Sequence, residues 1–463
     1  MSDLYRNSRA AMPSLESSLS QFSGPHTPSA DLGPASSGSS KEPSAGPRVY
    51  RHPIASATIF GLAALALLLT GIAKPTKMYF DEGYFVPEAR AFLQGAPNPD
   101  PYAPPLAKPP LGKLIMAIGM KAAGDNSFGW RIAGGVCGAL TVVAVYLWSY
   151  LFLQDASLAV LAAGLALFNN FLFVMSRIAT VDVFLLFFLM WSLVAYTAAL
   201  TLDVGAWTRR ILFCSSGILV GLGGACKWNA IDTLGVFFLV TAALLWASRR
   251  TTADSRSSLT AYADSVRQIG LPVLLIGLIL APIVSYNLAF WPLCRIIHRP
   301  FRFHELAAMN AFMWHFNRTT VVNPSLISPW YSWPLNFSPM HVLSYLVGNP
   351  VITWGGLVAL ALCLRRFWMS DTLPKGMVLL LFASNYLQWA VTPQKGLYYY
   401  YYYPCVMILG VAIAVAMRGL PARVFGMRIS FLVLVAAAIF FARCYPQMAH
   451  LESPWDCTFG CWP

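Results

Sequence analysis

The sequence predicts an all-α polytopic membrane protein, a bundle of about 11 transmembrane helices with two long external loops. Of its 463 residues, 57% are hydrophobic and 11% charged, with a mean hydropathy of +0.58, far more apolar than a soluble domain. Apolar stretches of roughly 20 residues, the length that crosses a bilayer core, recur through most of the chain. These runs are too continuous for an outer-membrane barrel, whose strands alternate over only about ten residues.

The expected spans are 54–73, 128–152, 156–175, 179–200, 211–226, 230–247, 269–290, 341–363, 376–392, 400–417 and 429–444. Residues 1–50 are rich in Ser, Pro and Gly and poor in aromatics, so they bury too little apolar surface to offset chain entropy. They are expected to form a disordered cytoplasmic tail. No apolar stretch with a cleavage site begins near Met1, and the run at 54–73 reads as a retained first span rather than a signal peptide. The transmembrane domain then covers 51–446, with a short external tail at 447–463.

A formal net charge of +13 would point to nucleic acid in a soluble protein. Here the basic residues mark topology instead, and no nucleic-acid partner is expected. Arg209 and Arg210, Arg249 and Arg250, Arg365 and Arg366, then Arg418, Arg423 and Arg428 fall in alternate connections, which the positive-inside rule makes cytoplasmic. Four segments are left on the opposite side: 74–127, the neighbourhoods of Ser176 and Lys227, and 291–340. Any chemistry should sit where these four converge.

Two of the external segments, about 74–127 and 291–340, exceed the few residues of an ordinary connection, which marks them as functional. Within the first, residues 111–123 are too short for a span and suit an amphipathic helix in the membrane interface. The second interleaves aromatics and His, with Trp314, Trp330 and Trp333 suited to an interfacial cap. No repeat of 20 to 50 residues is evident. Most of the nine cysteines lie inside expected spans, where Cys behaves as a small hydrophobe; Cys457 and Cys461, expected outside, are a candidate disulfide.

Ionisable residues near membrane depth are expensive and usually mark a pathway or a site. The stretch YFDEGYF sets Asp81 and Glu82 among Tyr79, Phe80, Tyr84 and Phe85. They are either solvated loop charges or a pair whose aromatic collar lifts a carboxylate toward the pKa of a general base. SRIATVD carries Arg177 and Asp182, which snorkel at the interface or join a site. In GACKWNA, Lys227 and Trp228 end a Gly-rich stretch, and a lone external Lys favours anion binding over anchoring. Arg131, beside Trp130, is a comparable cation, and together these suit a lipid phosphate. The six tyrosines Tyr398 to Tyr403 form either an interfacial aromatic belt or hydroxyl contacts to a lipid-linked sugar. Phosphate-cradling P-loop, Rossmann, HExxH and GxSxG signatures are absent, which disfavours energy coupling by nucleotide hydrolysis within the chain.

Taken in order, these motifs resemble the protein O-mannosyltransferase family and its bacterial relatives among the polyprenyl-phosphate-dependent glycosyltransferases of the GT-C class. FDEGYF resembles the Asp-Glu element after the first span, KPPLGKL the His-Pro-Pro-Leu-Gly-Lys element, and WRIAGGVCGALTV the Arg-bearing start of the next span. SRIATVDVFLLFF and GACKWNA follow in family order, and SPWYSWPL with GNPVITWGG resembles the second long loop and following span of bacterial members. Lys108 stands where the family often has His, nearer the aminoarabinose transferases of lipid A, and Asn323-Pro324 replaces a His-Pro. The large soluble insert of eukaryotic members is missing, so the resemblance is to the compact bacterial kind.

The resemblance implies an inverting transfer of a sugar, mannose foremost, from a polyprenyl phosphate to Ser/Thr hydroxyls of exported proteins. Asp81 would be the general base, with Glu82 in support, and Arg131, Lys227 and Arg177 would stabilise the leaving phosphate. Asp182, Trp228, His315, Trp333, Tyr398 and Tyr399 are candidate substrate contacts. The chemistry requires no cofactor; a divalent metal is compatible with it, with His304, Glu305 and His315 as candidate ligands. The implied location is the plasma (inner) membrane, multi-pass, with a cytoplasmic N-terminus and an external active site. Alternatives are transfer to lipid A or another envelope glycan, a polytopic lipid transporter, and a non-catalytic subunit. A transporter needs polar residues along mid-span interiors, whereas these charges gather at helix ends.

Overall fold

A computed structural model of the chain describes residues 53–95, 107–250, 258–319, 327–335, 346–369, 372–391, 396–418, 423–424 and 427–449. The whole of the expected N-terminal tail, the Asn323-Pro324 pair, and Cys457 and Cys461 lie outside these residues.

The described chain is helical apart from a two-residue hairpin pairing Arg423–Val424 with Met427–Arg428. In order, the helices are α1 (Pro53–Leu69), α2 (Glu82–Gln94), α3 (Leu111–Ala123), α4 (Ser127–Leu153), α5 (Ala156–Leu167), α6 (Asn170–Ser176), α7 (Asp182–Thr201) and α8 (Ala206–Gly224). Then come α9 (Ala230–Arg250), α10 (Ser258–Ile269), α11 (Leu271–Ile296, with a π turn at Ile276–Leu280), α12 (Phe303–Thr319), α13 (Pro350–Arg365), α14 (Thr372–Val391), α15 (Tyr403–Met417) and α16 (Ile429–Met448). Each expected span overlaps a helix. By length and composition, however, six helices among the described residues are fit to cross a membrane, or seven with the bent pair α5–α6, against the eleven expected.

Side-chain caps set several boundaries. Asn126 Oδ1 accepts from the amides of Phe128 and Gly129 at 3.0 Å each and starts α4; Asp155 and Asn169 do the same for α5 and α6. The Asn169 cap restarts the helix at an angle, so the expected continuous span 156–175 is broken by a 54° bend. Arginines close helices at the other end: Arg209 donates to Ala199 O (2.5 Å) and Leu202 O (3.0 Å), satisfying the last carbonyls of α7.

Small residues let the helices approach closely, as packing in lipid demands. A Cβ on Gly138 of α4 would stand 2.1 Å from Ser176 Oγ, and one on Gly217 of α8 would stand 1.8 Å from the Gly277 carbonyl of α11. α4 packs on α1, α5 and α7, α7 on α8, and α15 on α13 and α14. The short helices α2 and α3, on the segment between α1 and α4, pack on each other, and α3 also packs on α4.

Candidate active site

Asp81 and Glu82 are neighbours with opposite fates. Phe80 sits at φ 54°, in the left-handed region that a bulky side chain rarely adopts, and its ring meets Tyr400 edge-on at 5.4 Å. From this turn Glu82 enters the protein and is fully buried. Its Oε1 accepts from Arg131 Nε (2.7 Å) and the Ala179 amide (2.9 Å), and its Oε2 from Arg131 Nη2 (2.8 Å) and the Tyr79 amide (3.3 Å).

The sequence points to Arg131 as a phosphate ligand, but the structure engages all of its N–H groups within the protein. Besides the two bonds to Glu82, Nη1 donates to the carbonyls of Ile72 (3.1 Å) and Pro75 (2.8 Å), and Nη2 to Lys77 (3.4 Å). A guanidinium has five N–H groups, so this side chain ties the loop after α1 to the start of α4. Arg177 is likewise turned inward. Its Nη1 donates to the carbonyls of Leu68 (2.8 Å) and Thr70 (2.6 Å), closing the C-terminus of α1, and its guanidinium lies over Phe173.

Asp81 goes the other way. It stands at the N-terminus of α2 but makes no side-chain cap there; its Oδ2 accepts from the Tyr400 hydroxyl at 3.2 Å. Nearby, Lys227 donates to Asp182 Oδ1 at 2.6 Å and lies over the rings of Tyr401 (4.0 Å) and Tyr400 (5.3 Å). Both members of that ion pair are 8% exposed at the side chain. Burial, then the charge of Asp182, pushes the Asp81 carboxyl up to about 6, against the opposing pull of Lys227, the Tyr400 hydrogen bond and Lys108.

Lys108 completes the cluster. Its ammonium donates to Asn317 Oδ1 of α12 at 2.5 Å, while Asn317 Nδ2 donates back to the Ala107 carbonyl at 3.0 Å. The Leu111 amide bonds the Ala225 carbonyl at 2.9 Å, and Lys113 donates to the Lys108 carbonyl and to buried Glu88, fixing the KPP turn from both sides. Burial, then repulsion from Lys227, brings the Lys108 ammonium down to about 8. The four segments expected to converge thus meet around Asp81. Beside them opens a cleft whose lining includes Lys108, Lys227, Asn229, Trp314, Arg318 and Tyr401.

Of the remaining expected contacts, Asp182 is the partner of Lys227. Trp228 lines the cleft, donating its Nε1–H to Tyr286 Oη at 3.0 Å, with its ring 6.3 Å from Trp314. Tyr398 is half-buried and stacks on Tyr400. Three others do not line the cleft. Trp333 is fully buried, donating to Ser328 Oγ at 2.8 Å and packed on Trp389 and Tyr402. Tyr399 is also core: its hydroxyl accepts from the Gly348 amide and its ring meets Phe171. His315 is exposed on α12, outside the cleft lining.

The tyrosine run is not an interfacial belt either, since Tyr399 to Tyr403 are all buried. Tyr399–Tyr402 is a 3₁₀ turn, in which residues three apart eclipse. Tyr399 and Tyr402 therefore both reach Phe171, while Tyr400 and Tyr401 meet Lys227. Among the described residues no three of His, Cys, Asp or Glu form a metal-holding group; His304 and Glu305 adjoin each other without His315. Sequence reasoning does not assign Lys108, Asn317 or Arg318 to the site, and it reaches Tyr400 and Tyr401 only as members of the tyrosine run. The signal for the α12 pair was the spacing of Trp314, Asn317 and Arg318 on one helical face.

Buried charge pairs at helix ends thus surround an aromatic cleft in a polytopic bundle of apolar helices. The S. cerevisiae protein O-mannosyltransferase Pmt1–Pmt2 complex bound to the sugar donor superposes with a TM-score of 0.72 at 13% identity, over 87% of this chain and 90% of that one. ArnT from Cupriavidus metallidurans gives 0.57 at 15% identity, over 86% and 65%. The chain belongs to the dolichyl-phosphate-mannose-protein mannosyltransferase family, whose model matches residues 58–298. The polyprenol-phosphate-mannose–protein mannosyltransferase of Corynebacterium glutamicum is 23% identical over 430 residues, covering 77% of this chain and 81% of that protein. That of Mycobacterium tuberculosis is 23% identical over 441 residues, covering 80% and 83%.

Proposed function

We propose that this glycosyltransferase moves mannose from a polyprenyl-phosphate carrier to Ser/Thr hydroxyls of exported proteins, with inversion at the anomeric carbon. The observation that carries the reading is the half-buried Asp81 carboxylate, held by Tyr400 at the Lys227–Asp182 pair beside the cleft. Membership of the mannosyltransferase family and the activity named for the corynebacterial and mycobacterial relatives support the donor and acceptor classes.

In the proposed reaction Asp81 takes the acceptor's hydroxyl proton as its oxygen bonds the anomeric carbon. The bond from that carbon to the carrier phosphate breaks, and the phosphate leaves with the electron pair. Lys227 and Lys108 are the cations that meet the growing phosphate charge, with exposed Arg318 at the rim. Glu82, Arg131 and Arg177 are assigned to holding the loops rather than to the donor. Lipid phosphate is a good leaving group, so the reaction requires no metal, and a divalent ion remains compatible. The distribution of basic connections supports a cytoplasmic N-terminus and a site at the external face of the plasma membrane.

The test is transfer of labelled mannose from a polyprenyl-phosphate donor to a Ser/Thr-rich peptide in membranes containing the protein. Labelled peptide, lost in Asp81→Asn, is the expected result. A second reading, transfer to an envelope lipid, is favoured by Lys108 in the place of the family's His; labelled lipid with unlabelled peptide would establish it instead.

A further inference from the structure

Behind the cleft, three polar side chains on two helices and a junction form a chain that no part of the proposed chemistry uses. Asp232 lies in the first turn of α9, Gln388 near the end of α14, and Asn229 in the connection from α8 to α9, where it lines the cleft. Gln388 Nε2 donates to the Asn385 carbonyl at 3.1 Å, and its side chain is hydrogen-bonded to the Asp232 carboxylate. The Asn385 carbonyl can only accept, so the amide orientation of Gln388 is set, with Oε1 facing away from it. That oxygen accepts from Asn229 Nδ2 at 2.8 Å. The orientation of Asn229 is fixed in turn, and its Oδ1 makes no hydrogen bond among the described residues.

From this relay we propose that Asn229 is a specificity-determining residue, its Oδ1 accepting a hydrogen bond from one hydroxyl of the donor sugar, with Gln388 and Asp232 as its positioning residues. The proposal rests on the reading of the cleft as the donor site. Of the other lining groups, Lys108, Lys227 and Arg318 are cations that suit phosphate, Trp314 and Tyr401 offer aromatic faces to a sugar ring, and the amide of Asn317 is already taken up by Lys108 and the carbonyls of Ala107 and Met313. Asn229 adds an oriented neutral acceptor, the element that tells one hydroxyl pattern from another. A site built to bond a hydroxyl discriminates strongly against an analogue lacking it.

The experiment measures kcat/KM for short-chain polyprenyl-phosphate mannose and its four monodeoxy donors, using the full-length protein in detergent. In wild type one deoxy donor is expected to lose roughly tenfold or more. In Asn229→Ala the penalty at that position should fall to near one, while the penalties at the others persist, a coupling that a merely structural residue does not produce. Gln388→Leu and Asp232→Asn are read in the same way and should shrink the same penalty partly, so the coupling is measured even if the truncation at 229 does not accumulate. Unchanged deoxy penalties in these variants would overturn the inference and leave the proposed function standing. Failure of wild type to use the mannosyl donor would instead overturn the function on which it rests.

Discussion

Glu82 and Arg131 face each other in a two-bond fork at 2.7 and 2.8 Å, both side chains wholly removed from water. Removing one partner of such a pair strands the other charge, which costs about 3–5 kcal/mol. Glu82→Gln and Arg131→Lys should therefore lower the unfolding temperature in detergent markedly. Lys is a poor substitute because a point charge cannot reproduce the fork or the bonds to Ile72, Pro75 and Lys77. A Glu82→Gln protein as stable as wild type would contradict the bracing role.

Asp81, one residue away, should behave in the reverse manner. Its substitution by Asn preserves shape and the Tyr400 contact, so unfolding should match wild type while mannosyl transfer drops by roughly a hundredfold to ten-thousandfold. Comparable activity in Asp81→Asn would remove it from the chemistry.

Lys227 serves Asp182 and the cleft at once. Lys227→Met leaves a buried carboxylate unpaired and should lose both stability and activity, whereas Lys227→Met with Asp182→Leu should recover stability alone. Thermal unfolding and transfer assays on the single and double variants separate the two roles; recovery of activity in the double variant would exclude Lys227 from phosphate binding.

The rate of transfer should follow a bell with pH. Asp81 works as the carboxylate, so activity rises as pH climbs through about 6; Lys108 works as the cation, so activity falls above about 8. Lys108→Arg should remove the alkaline limb, because a guanidinium keeps its charge throughout this range.

Tyr400→Phe removes a hydrogen bond that favours the ionised form of Asp81. The acid limb should move to higher pH, with the rate near pH 8 changed little by comparison. An unmoved acid limb would show that Tyr400 does not tune the carboxylate.

Much of the fold was legible because its causes are local. Apolar runs locate the helices, and caps such as Asn126 and Asp155 are readable beside them. The bend at Asn169 was not, because a cap inside an apolar run reads as a tolerated polar residue until the helix axes are known. At the site, the sequence marked the right segments but not always the right side chains. In the tyrosine run, a three-residue turn decided that 400 and 401, rather than 399, meet Lys227.

The sequence by itself determined the membrane class, the order of the motifs and the scarcity of charge that makes each ionisable group informative. Only the tertiary structure decided what each charge does. Asp81 and Glu82 are chemically alike and adjacent, yet Phe80 in the left-handed region sends one to Tyr400, 319 residues away, and the other to Arg131, 49 residues away. Partners so distant in sequence are brought together by packing, and in a dry interior a charge is defined by the groups that pack against it.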